Sequence, residues 1–462
     1  VLIPFVFALA LDEPVIVAAP PPPAVETSRP AAAATPLTPP EATGATAQTI
    51  TPGLLQIPQP ATDVQPALRF VWRDHPSLRA GRNFRLDFVV KVQEDSRHPG
   101  DDPADFPTWD LHRARFGIEG ELYRHITYQV EFETTTETAG NPSKSPWRDV
   151  YVDADYINAA QIRIGKMKIP FGLDQLNSDS DLDFVFRSLG GSYLSPGRDI
   201  GGMLHGRFFK RALNYWAGVY QQDGENSQSS KIVGGDFTVA GRLTARPFRK
   251  LGGPFAETEI GTSFATTEVS DVSTVPNGLR GRTVISQYTF FDSVFVKGRR
   301  NRYGLDIEWF KGPFGASAEY ISINDERQDQ ALVSGDLSDA QYRSWYVEGS
   351  WVITGEQKEG TVNPRHKGLG GGGFGAIEIA ARQEQLKFGG PAGTDPPFRN
   401  SRAETIFPNA DTVTTLGVNW YINRFGKIQF NALREHLDDI ERSPTLDGAP
   451  FWSAVVRFQF QL

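Results

Sequence analysis

From residue 83 onward the chain alternates apolar and polar residues in segments of about ten, the period of a strand with two unlike faces. In "NFRLDFVVKV", Phe84, Leu86, Phe88, Val90 and Val92 share one face, and Asn83, Arg85, Asp87 and Lys91 the other. In "HRARFGIEGEL", Ala114, Phe116, Ile118 and Leu122 oppose Arg113, Arg115, Glu119 and Glu121. In "HITYQVEFE", Ile126, Tyr128, Val130 and Phe132 oppose Thr127, Gln129, Glu131 and Glu133. Comparable segments recur at 148–157, 159–168, 199–208, 211–221, 235–247, 256–268, 302–311, 313–323, 342–354, 374–387, 411–422, 426–436 and 451–462.

The connections between these segments alternate too. Tight ones fall near Arg124, Asn158, Lys210, Gly312 and Arg424, and long polar ones at 134–147, 169–198, 222–234, 269–301, 324–341, 388–410 and 437–450. Short turns at one end and long loops at the other predict an all-β fold. It is an antiparallel transmembrane β-barrel of about sixteen strands, with long external loops and both termini on the periplasmic side. An even strand count requires the segment 283–296, "TVISQYTFFDSVFV", to belong to an external loop rather than to the wall.

A β-sandwich has the same alternation, so aromatic placement matters. Trp109, Tyr123, Tyr156, Trp309, Tyr320, Trp345, Trp351, Trp420, Tyr421 and Trp452 fall mostly near segment ends, as in the interfacial girdles of a membrane barrel. The last strand, "AVVRFQFQL", alternates Val456, Phe458, Phe460 and Leu462 against Arg457, Gln459 and Gln461. An amphipathic terminal strand is characteristic of such barrels, although the usual last residue is Phe and here it is Leu462.

Composition narrows the choices. No stretch approaches the roughly eighteen consecutive apolar residues of a membrane-spanning helix. Abundant Gly (45) and Phe (31) with only 2 Met favour strands and turns. The net charge of -8 gives no basic footprint for nucleic acid. With 0 Cys there are no disulfides, thiolate metal sites or cysteine nucleophiles. The apolar run opening "VLIPFVFALALDEPVIVAAP" is similar to the core of a secretory signal, so residues 1–19 are expected to be a signal-peptide remnant. Residues 20–80 are expected to be a Pro/Ala-rich disordered segment and lead-in, and 81–462 the barrel.

The long connection after "RIGKMKIPFGLDQL" is exceptional for a compact domain, at about thirty residues dense in Asp, Ser and Gly. That motif, followed by "FVFRSL" and "SPGRDIGGMLHG", resembles the signature region of the phosphate-selective porin O and P family. "YWAGVYQQDG", "GRLTARPF", "KGPFGASAEY", "YVEGSWVITGE", "GAIEIAARQ", "TTLGVNWYIN" and "VVRFQFQL" follow in family order. The resemblance implies a sixteen-stranded homotrimeric porin of the Gram-negative outer membrane, in contact with lipid and lipopolysaccharide. It would pass small anions through a lumen narrowed by inward-folded loops and lined with basic residues. Residues 170–198 are then expected at the pore mouth or folded inward, with Pro170, Gly172, Gly190, Gly191, Pro196 and Gly197 as bend points and Phe184, Phe186 and Leu189 as apolar anchors.

With the apolar face outward, parity turns Arg85, Arg113, Arg115, Arg163, Arg207, Arg242, Arg246, Arg302, Arg382 and Arg457 inward, and these are the pore-lining candidates. The inverse would place Arg against lipid at about 2–4 kcal/mol each. Lumenal guanidiniums offer an anion repeated fork-shaped donors without a single deep trap. Glu119, Glu121, Glu131, Glu133, Asp153, Asp155, Glu308, Glu348 and Glu378 share the inward parity, so cross-strand pairing competes with that role. Asp174, Asp179, Asp181, Asp183, Arg187 and Arg198 are the constriction-loop candidates. Carboxylates reaching a constriction repel anions, which makes general diffusion of small hydrophilic solutes a safer expectation than strict phosphate or polyphosphate specificity.

Nothing points to chemistry. "DSDLD" lacks the full calcium-loop pattern, "KGLGGGGFG" has no Gly-Lys-Ser/Thr and reads as a flexible turn, and the His residues form no zinc motif. No enzyme, catalytic residue, cofactor or metal is expected. The competing classes are a barrel serving as an adhesin or cell-wall anchor, and a membrane hydrolase with a rim active site.

Overall fold

The computed structural model describes residues 67–72, 75–100, 108–135, 145–227, 237–270, 275–331, 335–369, 371–390 and 405–462. The expected signal remnant and the Pro/Ala-rich segment up to residue 66 lie outside the described residues. Two short strands come first, β1 (Arg69–Trp72) and β2 (Pro76–Ala80). Among the described residues, sixteen antiparallel strands then close one barrel. They are β3 (Phe84–His98), β4 (Thr108–Leu122), β5 (Ile126–Glu133), β6 (Trp147–Ile157), β7 (Ala160–Lys168), β8 (Arg198–Phe208), β9 (Leu213–Tyr220), β10 (Thr238–Ala245) and β11 (Glu259–Val269). After β12 (Gly281–Arg282) and β13 (Thr289–Phe291), which pair only with each other, the wall resumes with β14 (Gly298–Lys311), β15 (Phe314–Arg327), β16 (Leu337–Val352), β17 (Ala376–Gly389), β18 (Asn409–Tyr421), β19 (Gly426–Leu437) and β20 (Phe451–Gln461).

Closure is between β20 and β3, in register from Ala454↔His98 to Gln461↔Lys91. The backbone of Leu462 exchanges hydrogen bonds with that of Val90, and below this point β20 does not pair with β3. The periplasmic half of β3 would be an open edge, a template for unwanted pairing. Instead β2 pairs with it from Ser77↔Asp87 to Ala80↔Phe84, and β1 pairs with β2. This corrects the expected start of the ordered sheet from residue 81 to Arg69, because the hairpin covers an edge that the sequence pattern does not reveal.

The alternation is realised inside out relative to a soluble protein. In β10 the buried residues are Thr238, Ala240, Arg242 and Thr244, whereas Val239 and Leu243 are 48% and 43% exposed. The same inversion leaves Ile162, Ile164, Leu305, Val347 and Leu416 outward while Arg115, Asp306, Glu319 and Arg382 are buried. A sandwich would bury the apolar face; this wall shows it to lipid. Aromatic pairs mark the band's periplasmic margin at Phe255–Trp309, Phe314–Trp351 and Phe374–Trp420, and Trp109–Phe458 and Phe132–Trp147 mark the other. Tyr421 departs from the expected girdle: it faces inward and donates to Glu378 at 2.6 Å.

The lumen is partly filled. Residues 275–297 of the long loop after β11 fold inward with the β12–β13 ribbon, as the even strand count requires, and stack Phe291 on Phe388 at 4.3 Å. Loop 169–197 folds beneath it, and together they build an apolar core inside the barrel from Ile169, Phe171, Val185, Leu189, Leu194, Ile285 and Phe290 against Ile321, Tyr342, Leu386 and Leu433. The periplasmic turn after β16 also sends residues inward, ahead of the glycine-rich "KGLGGGGFG": Lys358 and Val362 are buried, the latter against Val352, Ala376 and Tyr421.

Leu305→Arg, at the lipid-facing middle of β14, is expected to cost about 2–4 kcal/mol in urea titrations of folding into vesicles. Asn301→Arg, outward on the same strand but nearer its external rim, is expected to cost about 0–1 kcal/mol. Equal costs at the two positions would contradict the outward assignment.

Candidate functional site

Loop 169–197 determines what stays open. Its base is closed by a hydrogen bond from Ile169 N to Gly197 O at 2.8 Å. Gly172 then takes φ 77, a left-handed conformation, where a Cβ would meet the Glu319 carboxylate at 2.8 Å. The turn delivers helix α1 (Leu173–Leu176) with the N–H groups of Leu173 and Asp174 donating to Glu319 of β15 at 2.7 and 3.3 Å. Helix α2 (Leu189–Tyr193) is capped by Ser188, whose hydroxyl accepts from Gly191 N at 3.0 Å. Leu189 N at its start donates to Glu384 of β17 at 2.6 Å. A Cβ at Gly190 would lie 2.6 Å from the Ser344 hydroxyl, so glycine permits the close approach of α2 to β16.

Between the helices the loop backbone is held by lumenal side chains of the wall. Asn431 accepts from Val185 N at 2.7 Å, Arg457 donates to Val185 O at 2.6 Å, and Asn419 donates to Asp183 O at 2.8 Å. Lys427 donates to the carbonyls of Ser180 and Leu182, both at 3.0 Å. Buried backbone groups need such partners, and β15 to β20 provide them. From the periplasmic side, turn 353–375 adds Lys358, bridging Asp183 and Glu378, and Thr361 on Asp181. Burial alone would lower the pKa of the Lys358 ammonium, but the two carboxylates hold it above the usual lysine value. Burial raises the Asp183 carboxyl despite the ammonium beside it.

The loop is thus fastened to one side of the barrel, leaving a passage along β3 to β8. Two cavities lie on that side. The upper, about 550 Å³, is lined by nine guanidiniums (Arg97, Arg113, Arg115, Arg148, Arg187, Arg198, Arg280, Arg282, Arg457) and five carboxylates (Asp95, Asp110, Glu133, Asp179, Glu225). The lower, about 280 Å³, carries Lys91, Arg115, Arg163, Lys168 and Arg198 against Glu131, Asp149 and Asp179. Arg115, Asp179 and Arg198 line both, so the narrowing lies among them.

At the narrowing Arg113 and Arg115 each approach Asp179 at 3.1 Å, and Arg187 pairs with it as well. Arg115 also reaches Glu131 at 3.2 Å and Glu133. Arg198 holds Asp149 at 2.7 Å and lies 3.6 Å from Glu225, which Arg148 contacts at 2.9 Å. Burial would raise the Asp179 carboxyl, but Arg113, Arg187, Arg115 and Lys168 around it hold it well below the ordinary carboxylate range.

The remaining sequence candidates divide by depth. Arg163 faces the lower cavity, held by Asp153 at 2.7 Å with its guanidinium over the Tyr151 ring. Arg457 edges the upper one while doubly bonded to Asp95, both bonds 2.6 Å. Arg85, Arg207 and Arg246 sit near the periplasmic ends of their strands, beside Asp87, Asn158 and Glu259. Those three line neither cavity, and neither do six further candidates, which the structure places in contacts of their own. Arg242 is locked to Asp306 at 2.6 and 2.8 Å, Arg302 is fully buried against Asp223, and Arg382 holds Glu384 and the carbonyl of Phe186. Asp174 is buried within the loop, accepting from Ser188, while Asp181 and Asp183 face turn 353–375. Parity gives the face of a strand; it does not give the partner waiting there.

Lys91, Arg97, Arg148, Lys168, Arg280 and Arg282 line the cavities without being among the sequence candidates. Arg148 sits within a register shift between β5 and β6, which breaks the parity count. Arg280 and Arg282 lie two apart in loop 270–297, so "LRGR" was the available signal.

A sixteen-stranded wall with an outward apolar band, an inward constriction loop and a charged passage defines a porin. The chain belongs to the phosphate-selective porin O and P family, which matches it over residues 79–462. Porin O of Pseudomonas aeruginosa is 21% identical over 358 residues, covering 71% of this chain and 76% of that protein. Among solved structures, OmpT of Vibrio cholerae folded in vitro (12% identity) and the outer membrane channel DcaP of Acinetobacter baumannii (9%) each superpose with a TM-score of 0.50, covering 82% of this chain and 98% of theirs. These two likenesses show the fold alone. The protein is an outer-membrane porin of a Gram-negative bacterium, and its family relatives are channels.

Lys358→Met is expected to cost about 3–5 kcal/mol, since it leaves two buried carboxylates without their cation. Thermal unfolding in detergent checks this, and adding Asp183→Asn should recover part of the loss. Because its folded pKa is raised, the Lys358 contribution is present at neutral pH and is lost only as pH rises beyond the ordinary lysine range.

Proposed function

We propose that the passage beside loop 169–197 conducts small hydrophilic solutes by passive diffusion, prefers anions, and accepts inorganic phosphate and short polyphosphates among them. The observation that carries this is the excess of cations over carboxylates in both cavities flanking Arg115, Asp179 and Arg198. Confinement between low-dielectric walls magnifies such an excess, raising the local anion concentration. Each guanidinium at the narrowing already has a carboxylate partner, so it remains fixed in place while its free donor edges meet a passing anion. Sharing donors between protein carboxylate and solute keeps any one stop shallow, which throughput requires. Arg280 and Arg282 extend the positive lining upward with no carboxylate partner among the described residues.

The reading includes no chemical step. A homotrimer, with lipid and lipopolysaccharide around it, is carried over from the family resemblance.

The test is the reversal potential of the purified protein in a planar bilayer under a KCl gradient. The expected sign is that of an anion-preferring channel. Arg115→Gln combined with Arg198→Gln should shift it toward cation preference and weaken block of chloride current by added phosphate. Asp179→Asn should shift it further toward anions. A cation-signed potential in the unmodified protein would sink the anion reading, and folded, inserted protein without channels would sink conduction itself.

A further inference from the structure

The outer face of the barrel carries a pair of cations that the lumen does not explain. Arg343 of β16 and Lys387 of β17 are direct cross-strand partners, both exposed, on the lipid-facing side of the wall. Like charges directly opposite one another destabilise a sheet pair. Neither has an ion pair among the described residues; Arg343 reaches only the Gln341 amide, at 3.5 Å. The adjacent outward positions given by the register are Ser322, Gln341, Trp345, Gln385, Gly389 and Ala410, and none is acidic.

Height identifies what the pair meets. Arg343 lies ten residues along the chain from outward-facing Ile353 near the periplasmic rim. At about 3.3 Å per residue and a tilt of about 40°, that is about 25 Å, the thickness of the apolar band of a membrane barrel. Below the pair the outward residues are Trp345 and Val347 on β16 and, past Gln385 and Gln383, Ala381 and Ile379 on β17. Level with Trp345 and Val347, the outward amides Gln385 and Gln383 of β17 bond Thr412 and Thr414 of β18 at 2.9 and 2.6 Å, giving a neutral polar surface just below Lys387. The pair therefore stands at the outer-leaflet headgroup level, with an interfacial Trp and hydrogen-bonding amides beneath it.

We propose that Arg343 and Lys387 clasp a phosphate of a phosphorylated glycolipid in the outer leaflet, and that this anion relieves the repulsion between them. The proposal rests on the outer-membrane porin reading and goes beyond it by naming a lipid site on the wall. A guanidinium and an ammonium around one phosphate make charge-assisted hydrogen bonds, stronger than contacts with a zwitterionic headgroup. The amide–threonine surface suits the sugar and amide groups of such a lipid better than it suits acyl chains.

The test uses the full chain in neutral detergent, titrated with purified bisphosphorylated lipid A and with the same glycolipid stripped of phosphate, bound lipid being counted by native mass spectrometry. Wild type should retain the phosphorylated form selectively. Arg343→Gln with Lys387→Gln should weaken retention about 30-fold, while the exchange Arg343→Lys with Lys387→Arg should preserve it. Unchanged single-channel conductance and KCl reversal potential in the double variant would confirm an intact porin, so a loss of lipid there counts for the site and not for misfolding. Equal retention by wild type and double variant, or equal retention of the phosphate-free lipid, would overturn the proposal. A double variant that changes subunit stoichiometry at constant lipid per chain would also overturn it, by assigning the pair to a contact between copies.

Discussion

The architecture depends on one constraint: a chain folded into the lumen must find partners for its backbone there. Loop 169–197 finds them on the inner faces of β15 to β20, where Glu319, Glu384, Asn419, Lys427, Asn431 and Arg457 bond its N–H and C=O groups. Those inward side chains are polar because the wall's other face belongs to lipid. The same alternation that makes the barrel insert therefore also equips it to hold a plug. Once the loop is bound to that side, the apolar residues of both inward loops share one core and the open space moves to β3 through β8.

This division explains why inward arginines do different work. On the filled side Arg242, Arg302 and Arg382 are structural, neutralising carboxylates and fastening loop backbone out of solvent's reach. On the open side Arg113, Arg115 and Arg198 are also paired, yet they line space that solute can occupy. Pairing and lining are therefore compatible, and the electrostatic character of the passage comes from the surplus of cations rather than from any unpaired one. Asp179 illustrates the balance: one carboxylate gathers three guanidiniums at the narrowing and costs the passage a single negative charge.

The period-two pattern made most of the wall legible, because each strand's outward face has to be apolar along its own length, and the even strand count kept 283–296 out of it. What lay beyond the wall was less so. The hairpin β1–β2 takes the periplasmic part of β3 that β20, more than three hundred residues away in sequence, does not pair with. The displacement of Arg148 comes from a register shift invisible to parity, and the insertion of Lys358 is decided by two carboxylates on other elements. The inward course of loop 169–197 came from family resemblance. Its physical reason, the set of wall side chains that receive it, depends on which residues face each other across the lumen.

The central claim is that the lumen is closed behind loop 169–197 and open, and positive, in front of it. With 0 Cys in the chain, single cysteines report this directly. Gln129 lines the lower cavity, and Ser344 is buried behind α2. In folded channels, Gln129→Cys should react with an anionic thiosulfonate faster than with a cationic one of equal size, and current should fall as it does. Ser344→Cys should stay unmodified by either. Comparable reaction at both positions, or a preference for the cationic reagent at residue 129, would contradict the account.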